Sequence, residues 1–218
     1  MAETRTALLA GATGLVGSYV LKKLSASPAY SKVIVWVRRP LAVSDPKVTV
    51  ELIDFDRLEE RHISAQDVYC CLGTTIKQAG SQDAFRRVDF GYPVALARRA
   101  AKDGVRRLLI VSALGANARS SVFYSRVKGE MEEAVRASGV PQIYLFRPSL
   151  LVGPRREFRL GERIGFLVSL VLRPLLGKYR PIHADAVAEA MLIAATRDLE
   201  PGVYESDRIG ELARTQAT

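Results

Sequence analysis

Cysteine is scarce in this chain: the 218 residues hold two, Cys70 and Cys71, side by side. Adjacent thiols cannot tie distant parts of a fold together, so no disulfide framework is expected, and the pair fits a reducing cytoplasm. It reads as thiols at the end of a buried strand rather than as metal ligands, and no metal site is expected. No apolar run has the roughly 20 residues that a bilayer-spanning helix needs. The longest candidate, residues 164–176, is broken by Arg173 and Pro174. Residues 1–6 are polar and do not form a basic segment leading into an apolar one, so no secretory signal is expected, and a cytoplasmic protein is expected. A continuous basic tract is missing too, although the net charge is +9 and the pI about 9.8. Such a balance permits nucleic acid as a partner. Here the arginines come in scattered pairs (38–39, 86–87, 98–99, 106–107, 155–156), with no helix-turn-helix and no aromatic RNA-binding motif. They read as solvated faces, part of them serving an anionic cofactor, and no nucleic-acid partner is expected.

What is present is ordinary globular material, 48% apolar and 25% charged, enough for one domain over residues 1–218 with a sizeable core. Its organising stretch is residues 6–17, TALLAGATGLVG. A short apolar strand runs into Gly11, Gly14 and Gly17, and a helical pattern follows at three- and four-residue steps. Strand, glycine turn and helix is the setting in which such glycines mean dinucleotide binding. Gly11 permits the tight turn, Gly14 lets a pyrophosphate approach the backbone, and Gly17 lets the helix pack close to the sheet. The helix N-terminus offers free N–H groups and a positive dipole end.

A second strand, residues 32–37, ends at Arg38-Arg39-Pro40. An acid at this strand end would suit the ribose 2′-OH of NAD; two guanidiniums suit the 2′-phosphate of NADP. A third strand, residues 48–53, precedes Asp54-Phe55-Asp56. There a carboxylate and an aromatic either flank an adenine or, for Asp54 or Asp56, cap the next turn. The fourth, residues 67–72, stops at Gly73-Thr74-Thr75, small residues beside which a ligand can pass. Residues 82–101 read as one long helix with Pro93 as a kink. A fifth strand, residues 107–111, ends in Ser112; residues 124–138 are helical; a sixth strand, residues 142–146, leads to Arg147-Pro148. This alternation predicts a Rossmann-like, doubly wound, mostly parallel α/β sheet. Residues 148–218 are expected to form a small substrate-side subregion. Its parts are a basic loop (150–162), the apolar helix 164–176, an extended piece at 180–183, a helix at 184–196, a last strand at 202–206 and a frayed tail from Ala213. Asp185 is the expected N-cap of the 184–196 helix, and His183 a structural histidine.

Tyr124 and Lys128 stand four apart on one helix face, and Ser112 ends the strand before it. Reduction of a carbonyl builds charge on oxygen that a phenol can quench with its proton. A nearby ammonium favours the phenolate, lysine can hold ribose hydroxyls, and the serine can bond the substrate oxygen.

These features, with VRRP, CCLGTT, KQAG, FRRVDF, FYSRVKGEME and FRPSLL, resemble an atypical, single-domain short-chain dehydrogenase, and within that superfamily the Tat-interacting, NADP-binding branch. The resemblance implies NADP(H) bound along the strand ends. Gly11, Thr13, Gly14, Leu15 and Val16 match its pyrophosphate turn, and Arg38 and Arg39 its 2′-phosphate contacts. Leu72, Gly73 and Thr74 match the wall beside ribose and nicotinamide. Ser112, Tyr124 and Lys128 match the catalytic set, and Arg147-Pro148 the loop over the nicotinamide. An oxidoreductase acting on a small carbonyl or alcohol is expected, as a monomer or small homo-oligomer. The alternative is an NADPH-loaded regulatory or interaction module with little turnover.

Overall fold

Runs such as Tyr30–Val37, YSKVIVWV, are buried over nearly their whole length. That suits the inner strands of a parallel sheet covered on both faces. The computed structural model describes residues 4–153 and 177–215. The expected basic loop, the 164–176 helix and Arg155, Arg156 and Arg159 fall largely or wholly outside these residues. The strands are β1 (Arg5–Ala10), β2 (Tyr30–Val37), β3 (Val48–Leu52), β4 (Asp67–Cys70), β5 (Arg107–Val111), β6 (Gln142–Arg147), β7 (Leu151–Val152), β8 (Ile182–His183) and β9 (Gly202–Glu205). Seven of them form one sheet in the order β3-β2-β1-β4-β5-β6-β9. Every pairing in it is parallel. The order turns back between β1 and β4. That reversal is the place where open α/β sheets leave a crevice at the strands' carboxyl ends. The short β7 and β8 pair separately, Leu151 against Ile182 and Val152 against His183.

Helices cover both faces. On one side α1 (Leu15–Ala26) buries Val16, Val20 and Leu24. These pack in one cluster with Val187, Met191 and Ala194 of a later helix, Ala184–Thr196. On the other side, Leu96 and Ala97 lie with Met131 and Val135 against Leu108 and Ile110 of β5. Each fully buried Val or Leu side chain contributes about 1.5–3 kcal/mol, so the two layers carry most of the stability. The expected 82–101 helix is present but divided. After α2 (Ile76–Ala79) come α3 (Gln82–Arg86), a π-helical turn (Arg87–Gly91) and α4 (Tyr92–Lys102). Pro93 sits in the first turn of α4. Having no N–H, it cannot bond the carbonyl four residues back, that of Asp89, and the widened turn falls at that place. Among the described residues, the remaining α-helices are α5 (Phe123–Arg136), α6 (Ala184–Thr196) and α7 (Ser206–Arg214). Helix α7 replaces the expected run from strand to frayed tail; Ile209 and Leu212 are buried on the α6 side of the sheet. The cap of α6 also differs from expectation. His183 occupies the N-cap, and its Nδ1 accepts from the Asp185 N–H at 3.2 Å. Asp185 instead pairs with Lys23 at 3.0 Å.

Candidate active site

The glycine turn leaves β1 in a shape that only glycine allows. Gly11 has φ +92°, and a Cβ there would lie 2.5 Å from the Cys71 carbonyl oxygen. A Cβ on Gly17 would lie 2.0 Å from the Gly11 oxygen. Gly11 and Gly17 thus lock the turn, the end of β4 and the start of α1 into contact. Gly14, the N-cap of α1, donates to the Gly11 carbonyl at 3.0 Å. No side chain caps α1 and no acid stands in its first turn, so its free N–H groups are left to an outside acceptor.

Thr13, Gly14, Leu15 and Val16 line a cleft of about 990 Å³, with Leu72, Gly73 and Thr74 of the β4 end forming another wall. Ser112, Tyr124, Lys128 and Pro148 line the same cleft. The two halves of the expected site, glycine turn and Tyr–Lys helix, therefore meet at the crevice between β1 and β4. The residues fit a dinucleotide: an uncapped helix end for the diphosphate, small residues along the wall, a tyrosine and a lysine at the far end. Arg38 and Arg39 do not line the cleft. They are exposed, just past Val37, at the edge where β1 also ends, because Ala10 pairs with Trp36.

Three of the expected site residues are engaged by the chain itself. Asp54 spends its carboxylate on capping: Oδ1 accepts the Asp56 N–H at 3.0 Å. Of the two readings of that strand end, the cap is what forms. Arg147 does not cover the cleft. Its Nε and Nη2 donate to the two oxygens of Glu132 at 2.9 and 2.5 Å, and Glu205 lies 3.8 Å from Nη1. Ser112 lines the cleft, yet its hydroxyl donates to Glu132 Oε1 at 2.5 Å. The single hydroxyl hydrogen is taken, so in this arrangement Ser112 offers a ligand lone pairs only.

Tyr124 is 36% exposed, and its ring packs on Phe85, centroid to centroid 5.6 Å. Lys128 is buried, and its Nζ lies 2.7 Å from Asp89 Oδ1. The other oxygen, Asp89 Oδ2, accepts the Thr74 N–H at 2.8 Å. Burial opposes the charge on Lys128, but the Asp89 carboxylate and then the Tyr124 phenol outweigh it and raise its pKa above the ordinary lysine value. Cys70 and Cys71 are kept as thiols: burial pushes Cys70 up to about 11 and Cys71 well above its usual value.

Asp89 and Glu132 were not singled out from sequence, though both left a signal. Glu132 follows Lys128 by four, the spacing that links Tyr124 to Lys128, so all three share one face of α5. Asp89 is the residue whose carbonyl Pro93 leaves without its helical donor.

Residues 11–196 match the family described as NAD(P)H-binding. The protein FMP52-1, mitochondrial, of Scheffersomyces stipitis is 33% identical over 95% of this chain and 98% of its own length. Protein HTATIP2 of Rattus norvegicus is 36% identical over 73% of this chain and 68% of its own. Among solved structures, MoeE5 in complex with UDP-glucose and NAD superposes with TM-score 0.69 at 17% identity, over 97% of this chain and 81% of that one. The human epimerase family protein SDR39U1 with NADPH gives 0.61 at 18%, over 91% and 72%. The mitochondrial names of FMP52-1 and its counterpart in Candida albicans overturn the expectation of a cytoplasmic protein. With its glycine turn, parallel sheet and matched family region in agreement, the chain belongs to the NAD(P)H-binding family, in the atypical short-chain dehydrogenase/reductase branch that includes HTATIP2 and FMP52.

Proposed function

We propose that this protein is an NADP(H)-dependent oxidoreductase acting on a small carbonyl or alcohol. The observation that carries the reading is the convergence of Tyr124 and Lys128 with the uncapped glycine turn in one cleft. When bound, the nicotinamide supplies or takes up the hydride. The N-terminus of α1 holds the diphosphate through its free N–H groups. Lys128, fixed by Asp89, would hold the ribose hydroxyls with its remaining N–H donors. Tyr124 Oη gives its proton to the oxygen of a carbonyl, or takes one from an alcohol. With Ser112 turned to Glu132, Tyr124 is the hydroxyl donor for that oxygen. Arg38 and Arg39, at the end of β2, recognise the 2′-phosphate as paired guanidiniums.

The test is to incubate the purified chain with NADPH and a panel of carbonyls and follow loss of the reduced cofactor. Turnover that falls about 10²–10⁴-fold in Tyr124→Phe is the expected result. Tight NADPH binding without turnover, unchanged by that substitution, would instead mark a binding module. The double variant Arg38→Ala/Arg39→Ala is expected to weaken NADPH by about 10-fold or more while leaving NADH nearly unchanged; equal losses would remove the NADP preference. The names of the fungal relatives make mitochondria the place to look for the native protein.

A further inference from the structure

A lysine beside the working tyrosine is usually taken to act as a free positive charge that draws out the phenolate. Here that lysine is not a free charge. Lys128 and Asp89 are both almost wholly buried, 4% and 1% exposed, and 2.7 Å apart. Asp89 is held on its other side by the Thr74 N–H, at the wall of the cleft. The widened turn Arg87–Gly91 is what carries the carboxylate to this position, and a buried carboxylate beside a buried ammonium opposes its field at a third group.

We propose that Asp89 is a positioning residue which neutralises Lys128, so that Tyr124 faces an ion pair rather than a bare ammonium and enters the reaction as a proton donor. This rests on the oxidoreductase reading and sharpens it. Reduction of a carbonyl requires the phenol, whose O–H bond breaks as the proton passes to the substrate oxygen; the phenolate left behind is reprotonated from water through the exposed side of Tyr124. Oxidation of an alcohol requires the phenolate at the start. The ion pair therefore biases the site towards reduction.

Among the described residues, the charged groups around this pair are engaged elsewhere: Glu132, one turn beyond Lys128 on the same face of α5, is held by Arg147 at 2.5 Å. Cys70 and Cys71, at the end of β4, are held as thiols by burial. Ser112, at the end of β5, does not ionise. Arg86 of α3 and Glu130 of α5 pair with each other and do not line the cleft. Phe85, the α3 side chain packed on Tyr124, is apolar.

The test needs no substrate: the tyrosinate ultraviolet absorbance of the full chain is titrated with base. In Asp89→Asn, one tyrosine is expected to ionise about 1–3 pH units below its position in the native chain. Adding Tyr124→Phe should abolish that early step, and Asp89→Glu should restore the native curve. The double variant Asp89→Asn/Lys128→Met, which leaves no buried charge and so guards against a single variant that fails to fold, should titrate as the native chain does. Superimposable curves for native and Asp89→Asn proteins overturn the inference, as does an early step that survives Tyr124→Phe or a shifted curve in the neutral double variant. An early step in a protein that turns over no carbonyl would instead leave this charge linkage standing and sink the oxidoreductase reading.

Discussion

The two ends of the central sheet solve the problem of buried charge in opposite ways. At the foot, four neighbouring strands each begin with a polar residue: Arg5, Tyr30, Asp67 and Arg107. Asp67 is completely buried, with Arg5 at 2.9 Å and Arg107 at 3.1 Å, and it accepts the Tyr30 hydroxyl at 2.7 Å. Tyr30 in turn meets Tyr69 at 2.8 Å, and Arg107 reaches on to Asp198. Burial and then the Asp67 charge raise Tyr30 far above the ordinary phenol range. At the carboxyl edge, the buried carboxylate Asp89 has one ammonium and one backbone N–H, and it borders an open cleft. The acid at the foot is satisfied on both oxygens and enclosed, as in a structural knot, although the buried Arg107 Nε finds no hydrogen-bond partner. The cleft keeps donors in reserve, as a binding site must. How fully a buried acid is satisfied by its own chain separates the two roles here better than burial does.

The sharpest way to break this contrast is Asp67→Ala. It leaves two guanidiniums facing a hole, and a loss of about 3–5 kcal/mol is expected in chemical denaturation, with the cleft's architecture otherwise untouched. A loss below about 1 kcal/mol would mean that the foot is not a knot. Next comes Gly17→Ala on the cleft side. Its methyl would meet the Gly11 carbonyl at 2.0 Å, so α1 must shift. The expected cost is about 1–3 kcal/mol, together with weakened NADPH binding in a fluorescence titration, a pairing that the foot variant should not show.

A smaller effect is set by pH. Burial works against the charge on Asp103, but Arg99, the Ile63 N–H and His62 outweigh it and hold the carboxyl down at about 2, against an ordinary 3.8. A depressed acid stabilises the fold fully above its unfolded value and loses that contribution as pH falls. Between pH of about 4 and about 2, the native chain should therefore lose stability more steeply than Asp103→Asn, measured as thermal midpoints across that range. Least of all should Arg57→Ala matter. Arg57 and Glu60 are largely exposed, and such pairs contribute little, so no measurable change in midpoint is expected.

The sequence revealed those parts of the molecule that periodicity or spacing encodes. Strands such as Arg107–Val111 stand out as short continuous apolar runs, and the glycine turn and the Tyr124–Lys128 pair repeat at three or four residues, intervals that follow directly from backbone geometry. What it did not reveal depends on partners far away in the chain. That Ser112 would give its hydrogen to Glu132, and Arg147 both its N–H arms to the same acid, follows from how α5 lies across β5 and β6, which no local pattern states. Helix α7 was hidden for another reason. Its segment SDRIGELAR carries few apolar residues and a glycine, and it is helical because Ile209 and Leu212 find a surface to cover.

The broad turn at Arg87–Gly91 carries one more residue than a regular spiral would, and each residue of a helix is worth about 100° of rotation. Removing a single residue there would tidy the hydrogen bonding and improve the helix by any local measure. It would also swing the acid of that turn away from the amine it serves. The irregularity can thus be understood as a rotation device, which lets one continuous rod press its apolar side on the sheet and still point a carboxylate at the working edge.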